Sequence, residues 1–256
     1  MITFKPDDER RLLDNLSVEY KNLSLYSEVK KDIILMLVDS FLENGHQKIG
    51  LQFGCGGGYE TEQLSKRLKH LTVVDGSAIF IEEMKVNNQF NNTAFACSLF
   101  EEYNFEKIKI QYDVIFCNYA LEHVFDTQTI LQNIKSLLKP NGTLFIVVPN
   151  YLALSRQLAL KMGLIKKLDE LTENDIRHGH RRVYRMSSII EDITRSGLSV
   201  NHAKGIILKI LADFQLNKLL GNGTLDRKHI YAMHALAQQN DEYAQLADSI
   251  FIMATH

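Results

Sequence analysis

The chain has 256 residues, with 29 Lys and Arg against 31 Asp and Glu and 45% hydrophobic residues. That length suits one large domain with a substantial core, and the near balance of charge supplies no field for holding nucleic acid or anionic lipid non-specifically. The charged N-terminus MITFKPDDERR lacks the apolar core of a signal peptide, and the longest aliphatic or Met run, 33–38, is too short to span a bilayer, so a cytoplasmic protein without stable membrane insertion is expected.

No repeat punctuates the chain and it has only three prolines, so its organisation must be read from periodicity. Val29, Ile33, Met36, Leu37 and Phe41 fall on a helical repeat over 28–42, with Asn44 and Gly45 suited to its end. A short buried strand over 48–53 and a helix over 59–68 follow. The run 71–74 has strand length and closes on Asp75 and Gly76. A helix over 77–86 and a weak strand over 93–97 lead to a stronger strand, YDVIFCN, at 112–118. Asp126 or Thr127 caps a helix whose inward positions are Ile130, Leu131, Ile134, Leu137 and Leu138, and Pro140, Asn141 and Gly142 turn the chain into an apolar strand over 143–148. Continuous apolar strands separated by helices predict a doubly wound α/β domain with a mostly parallel sheet. From 151 to about 185 the pattern changes to a Leu-rich helix and the polar stretch DELTENDIRHGHRRVYR, which reads as a helical insert or lid over the sheet's edge. A helix over 186–196, a strand over 198–207 and a last strand over 249–255 complete the pattern, while 208–248 resists assignment. Cys55, Cys97 and Cys117 are isolated and lack CxxC spacing, which argues against a disulfide framework or a zinc knuckle.

The segment IGLQFGCGGGYET, 49–61, concentrates glycine directly behind the first strand. In open α/β sheets ligands settle at the carboxyl ends of strands, often against a helix N-terminus, and glycines let a ligand approach the main chain without meeting a Cβ. Asp75 lies 21 residues after Gly54 and ends the next strand, where a carboxylate can accept hydrogen bonds from ribose hydroxyls. Together these describe a nucleoside site rather than a bare glycine turn. The dinucleotide fingerprint GxGxxG would need a third glycine where Tyr59 or Thr61 stands. The sequence is GxGxG, which suits a ligand with an amino-acid tail better than one with a diphosphate.

LQFGCGGGYET resembles the first motif of class I S-adenosylmethionine-dependent methyltransferases, commonly written LDxGCGxGxxT. LTVVDGS is similar to that family's ribose-binding strand end. YDVIFCNYALEHV resembles the strand and LEHV helix start of the group that includes ubiquinone-biosynthesis O-methyltransferases, and LKPNGTLFIVVPN is similar to its LKPGGxLxxxxPN segment. Order and spacing agree from about Gly50 to Asn150. The resemblance implies a Rossmann-like methyltransferase fold and S-adenosylmethionine as cofactor, with S-adenosylhomocysteine as product. It places Gln52, Gly54, Cys55, Gly56, Gly58, Asp75, Gly76, Ser77, Ser98, Leu99, Phe100 and Asn118 around the cofactor. Two positions depart from the family. Gln52 stands where an acid usually helps to hold the cofactor's amino group, and Cys97 and Ser98 are the candidates where the family often has an adenine-binding Asp, a place that Ser98, with the amide of Leu99 or Phe100, can fill.

On this reading 1–256 is a single methyltransferase domain, divided into an N-terminal helical segment (1–45), a cofactor core (46–150), an insert (151–185) and C-terminal helices and strands (186–256). The reaction expected is methyl transfer to a small molecule, at oxygen, and an oxygen acceptor needs a base. His123 lies near the expected methyl group if the resemblance holds, and imidazole has a suitable pKa; the alternative is that it packs or caps the helix start. In RHGHRRVYR, the resemblance to a GHxRxY segment after the fifth strand favours His180 as a second catalytic candidate, with Arg182 and Tyr184 as acceptor contacts. A pair of arginines in that stretch points to an anionic acceptor. His123, His178 and His180 lack an acidic pair at ligand spacing, so no metal is expected. Tyr20 and Tyr26 either close over the cofactor or fill the core. The rival readings are a nicotinamide-dependent oxidoreductase and an inactive cofactor-binding member of the family.

Overall fold

The computed structural model describes residues 5–20, 23–86, 91–103 and 110–256. Seven strands form one sheet in the order β3-β2-β1-β4-β5-β7-β6. The first five, β1 (Ile49–Phe53), β2 (His70–Asp75), β3 (Thr93–Cys97), β4 (Tyr112–Asn118) and β5 (Leu138–Pro149), pair in parallel. β7 (Ser249–Thr255) runs antiparallel to both β5 and β6 (Ser199–Ile206). The order reverses between β1 and β4, which is where a ligand crevice opens at the strands' carboxyl ends.

Both faces of the sheet are buried, as the unbroken apolar strands require. α2 (Leu25–Asp39), α3 (Tyr59–Arg67), α4 (Ala78–Val86), α9 (Asp213–Gly221) and α10 (Arg227–Ala237) supply Ile33, Leu64, Ile81, Leu216 and Ile230 to one core with Val114, Phe116 and Phe145. α5 (Thr127–Leu137) and α8 (Met186–Arg195) cover the other face with Ile130, Ile134, Ile189 and Ile193. Asp126 caps α5, its carboxylate accepting from the amides of Gln128 and Thr129. α1 (Pro6–Tyr20) lies against α4, and α6 (Leu154–Lys161) and α7 (Glu173–Arg177) form the stretch after β5. Among the described residues no helix is long and apolar enough to cross a membrane.

The sheet and its alternation with helices follow the sequence expectation, with local differences. α2 starts at Leu25 behind the Ser24 cap and ends at Asp39, so Asn44 and Gly45 do not end it; Asn44, at φ 51°, opens a separate short 3-10 turn over Gly45–Gln47. β5 takes in the expected turn, with Asn141 at φ 64°. The unassigned 208–248 holds α9, α10 and α11 (Asp241–Gln245). Tyr26 is fully buried in the core, and the side chain of Tyr20 lies outside the described residues.

Candidate active site

The loop after β1 is held by its own residues. Gly54 and Gly58 both sit at φ 81° and Gly56 at φ 47°. A Cβ on Gly58 would fall 2.3 Å from Met84 Cε at the end of a flexible side chain of α4, and its φ of 81° disfavours any side chain there, whereas nothing lies within 4 Å of a Cβ on Gly56. Gly56 therefore faces open space, a cradle that a bound group can enter. Gln52 braces the loop from below: its Nε2 donates to the Gly54 carbonyl (3.0 Å), and its Oε1 accepts from Thr61 Oγ1 (2.9 Å). The amide expected to reach the cofactor is thus engaged within the protein.

Asp75 ends β2 as expected, 6% exposed. Its Oδ2 accepts from the Cys55 amide (2.8 Å) and lies 3.4 Å from Cys55 Sγ, while its Oδ1 accepts from the Ser77 amide (2.8 Å). Burial pushes the carboxyl's pKa up, and these amide bonds offset part of that rise. Asp75 therefore ties the tips of β1 and β2 together. Beside it, Ser77 Oγ donates to Asp14 Oδ1 (2.7 Å), and a Cβ on Gly76 would lie 2.5 Å from Leu13 Cδ1 and 2.7 Å from Leu99 Cδ2. α1 roofs this side of the crevice.

At the tip of β3, Ser98 Oγ donates to the Leu99 carbonyl (3.0 Å). Phe100 packs edge-on to Phe53, ring centroids 5.1 Å apart, and closes the loop side near Gly54. The amides of Leu99 and Phe100 make no hydrogen bond among the described residues, which leaves them as donors for a base edge. At the tip of β4, Asn118 Nδ2 donates to the buried carboxylate of Glu60, and Asn118 Oδ1 is buried without a hydrogen-bond partner among the described residues.

The second cluster lies just past β4. His123 and His180 meet edge to face at 4.8 Å, bringing together two side chains 57 positions apart. Beside them sits a residue to which the sequence motifs alone assigned no role. Glu122 is fully buried, and among the described residues no other residue makes a hydrogen bond to its carboxylate oxygens. Burial raises its pKa to about 7 against the opposing charge of His180. Burial, then the neighbouring His180 and Arg181, lowers His123 to about 3, so its imidazole is neutral at physiological pH and a weak base. Behind His180, Asp175 Oδ1 lies 3.3 Å from Nδ1, misaligned enough that the nitrogen has no directed bond. Burial alone would push the Asp175 carboxyl up, but the neighbouring His180 imidazole and the bonds from Thr172 and Arg156 outweigh it and hold the group ionised. The T-x-x-D capping pattern at Thr172 to Asp175 was the available signal for it.

The ligand atoms of Glu122, His123 and His180 all lie within 4.8 Å of one another. The expectation of no metal rests on the lack of an acidic pair at ligand spacing beside His123, His178 and His180; the structure brings one acid, Glu122, to His123 and His180, and His178 is not part of that group.

Arg182 and Tyr184 are not placed for acceptor contact. The Arg182 guanidinium donates to the carbonyls of Leu121 (2.9 Å), Val124 and Phe125 (3.0 Å). Tyr184, 3% exposed, shares a hydrogen bond with Thr127 Oγ1 at 3.2 Å. Both brace the loop that carries Glu122 and His123. Arg181 is likewise spent on Glu9 Oε2 (2.6 Å) and the His123 carbonyl (2.8 Å), and stacks on Phe125. The arginine pair thus offers no clamp, and the expectation of an anionic acceptor loses its basis. Arg182→Lys replaces a planar fork by a point donor, so unfolding in urea is expected to show a loss of about 2–4 kcal/mol; an unchanged midpoint would show that the brace carries no stability.

Residues 27–203 match the model of the family described as "Methyltransferase domain". The chain belongs to this methyltransferase family. It is similar to the ubiquinone biosynthesis O-methyltransferase of Rickettsia akari, 27% identical over 199 residues that cover 73% of this chain and 76% of the relative. It is also similar to the malonyl-[acyl-carrier protein] O-methyltransferase of Bacillus cereus, 31% identical over 125 residues, 46% of this chain and 45% of the relative. Its fold is that of the N-methyltransferase NodS from Bradyrhizobium japonicum in complex with S-adenosylhomocysteine, with a TM-score of 0.59 at 14% identity over 98% of this chain and 97% of the other. The methyltransferase is a class I enzyme with S-adenosylmethionine as its methyl donor. The open Gly56 cradle, the buried Asp75 and the unpartnered Asn118 oxygen fit that donor.

Proposed function

We propose that this methyltransferase acts on a hydroxyl of a small-molecule acceptor, with Glu122 as the group that takes the acceptor's proton. The observation that carries the reading is the fully buried Glu122 carboxylate, without a partner among the described residues and clustered with His123 and His180 just beyond the β4 tip. Its raised pKa lies near working pH, where a general base is most effective. Asp75 would hold the ribose, the 54–58 loop the tail, and the Leu99 and Phe100 amides the base. The bound donor supplies a sulfonium methyl carbon. Glu122 would take the hydroxyl proton as the acceptor oxygen receives the methyl group, the donor leaving as the neutral thioether S-adenosylhomocysteine. His180, backed by Asp175, and the neutral His123 orient the hydroxyl. The O-methyltransferase names of the relatives from R. akari and B. cereus support oxygen as the target atom. The stretch 151–185 carries His180 and would form the acceptor side of the crevice, within one methyltransferase domain.

The test is transfer of a labelled methyl group to panels of phenols, hydroxy acids and amines, with the product's methylated atom identified. O-methyl products are expected; methylation confined to nitrogen would overturn the reading.

The convergence of Glu122, His123 and His180 favours a second reading, in which a divalent cation held there acidifies the acceptor hydroxyl. Chelator-treated protein separates the two. Unchanged turnover would remove the cation, and loss restored by added magnesium or manganese would favour it.

A further inference from the structure

Glu60 is the second residue of α3, directly behind the glycine loop, and is 6% exposed. Among the described residues no Lys, Arg or His nitrogen lies within 4.0 Å of its carboxylate, and the side chain that bonds to it is Asn118, through Nδ2. Burial pushes its pKa up, against the more distant charge of Lys31 and the Asn118 bond. A buried carboxylate without a counter-charge is costly to the empty protein. The same position holds a second unmet acceptor, the buried Oδ1 of Asn118.

The place of this pair in the sheet says what would satisfy it. β2 and β4 flank β1 on opposite sides. Asp75, on the β2 side, bonds to Cys55 of the loop, and Asn118, on the β4 side, bonds to Glu60. A nucleoside gripped at the β2 tip therefore extends its tail across the loop towards Glu60 and Asn118. The donor's tail carries an α-ammonium, and its other possible acceptor at the end of β1, Gln52, is uncharged and engaged at both ends.

We propose that Glu60, together with Asn118 Oδ1, receives the α-ammonium of S-adenosylmethionine as its ion-pair partner. The inference rests on the donor assignment above. Ammonium and carboxylate compensate one another within the low-dielectric crevice, and Asn118 holds Glu60 in place by its amide while presenting its oxygen to the same cation. The cost of keeping Glu60 buried in the empty protein is recovered when the donor binds.

The experiment is calorimetry of wild type and Glu60→Gln with three ligands: S-adenosylhomocysteine, its desamino analogue, and its decarboxylated analogue, which keeps the amine. Wild-type binding of S-adenosylhomocysteine tests the donor assignment, and the pattern across ligands tests Glu60. The variant is expected to bind S-adenosylhomocysteine and the decarboxylated analogue at least about 10-fold more weakly than wild type does, with the desamino analogue unchanged. Its melting temperature without ligand should equal or exceed that of wild type. An equal loss for all three ligands, or no loss for S-adenosylhomocysteine, would overturn the proposal. A loss confined to ligands that carry the carboxylate would do so too, because it would mark Glu60 as a protonated donor to that group.

Discussion

Glu122→Gln is expected to lower turnover by roughly 10²- to 10⁴-fold while making the protein more stable at about pH 8. Both effects come from one carboxyl group. The side chain is fully buried, its oxygens are unpartnered, and its pKa stands near 7 instead of the ordinary 4.5. Between those two values the unfolded chain releases the proton while the folded protein keeps it, so stability falls as pH rises across that window. A displacement of that size corresponds to roughly 3 kcal/mol above pH 7. Gln keeps the shape and cannot ionise, so the gain in melting temperature should be largest at about pH 8 and vanish near pH 4, below both values. Wild-type kcat/KM should climb through an acid limb near pH 7 as the base deprotonates. Equal turnover in the variant, or a stability difference independent of pH, would remove Glu122 from this role.

Asp75→Asn should behave almost as badly as Asp75→Ala. The carboxylate accepts from the Cys55 amide on one oxygen and the Ser77 amide on the other. In Asn one of those positions becomes a donor facing a donor, so one tether is lost whichever way the amide turns. Each bond to a charged acceptor contributes about 1.5–3 kcal/mol, and the released loop also forms the floor of the cofactor crevice. Affinity for S-adenosylhomocysteine, read by calorimetry, should fall by about 100-fold or more in both variants, with a lower melting temperature in the absence of ligand. Wild-type affinity in Asp75→Asn would show that neither the tether nor the charge matters.

Much of this site is legible in the amino-acid sequence. The glycine loop and Asp75 stand out because backbone conformation and strand ends leave strong local marks, and continuous apolar strands announce a covered parallel sheet. Glu122 does not stand out although it adjoins His123, because burial of a carboxylate is a tertiary fact and an acid beside a histidine at a helix start reads as surface. Glu60 is hidden for the same reason. Arg182 and Tyr184 mislead in the opposite direction: their residue types suit acceptor recognition, but donors near the carbonyls of a buried loop are just as readily consumed by them. The helices over 208–248 lack a pattern because each buries little; α9 and α10 contribute Leu216, Ile230 and Ala237 alone to the fully buried set.

α1 touches the ribose side of the crevice through Leu13 and Asp14, and the far side through Glu9, which pairs with Arg181, and Leu12, which rests on Gly179. One helix thus bridges the shores where donor and acceptor arrive. A substitution at Glu9 is therefore expected to change the binding of donor and acceptor together, which calorimetry with each would read.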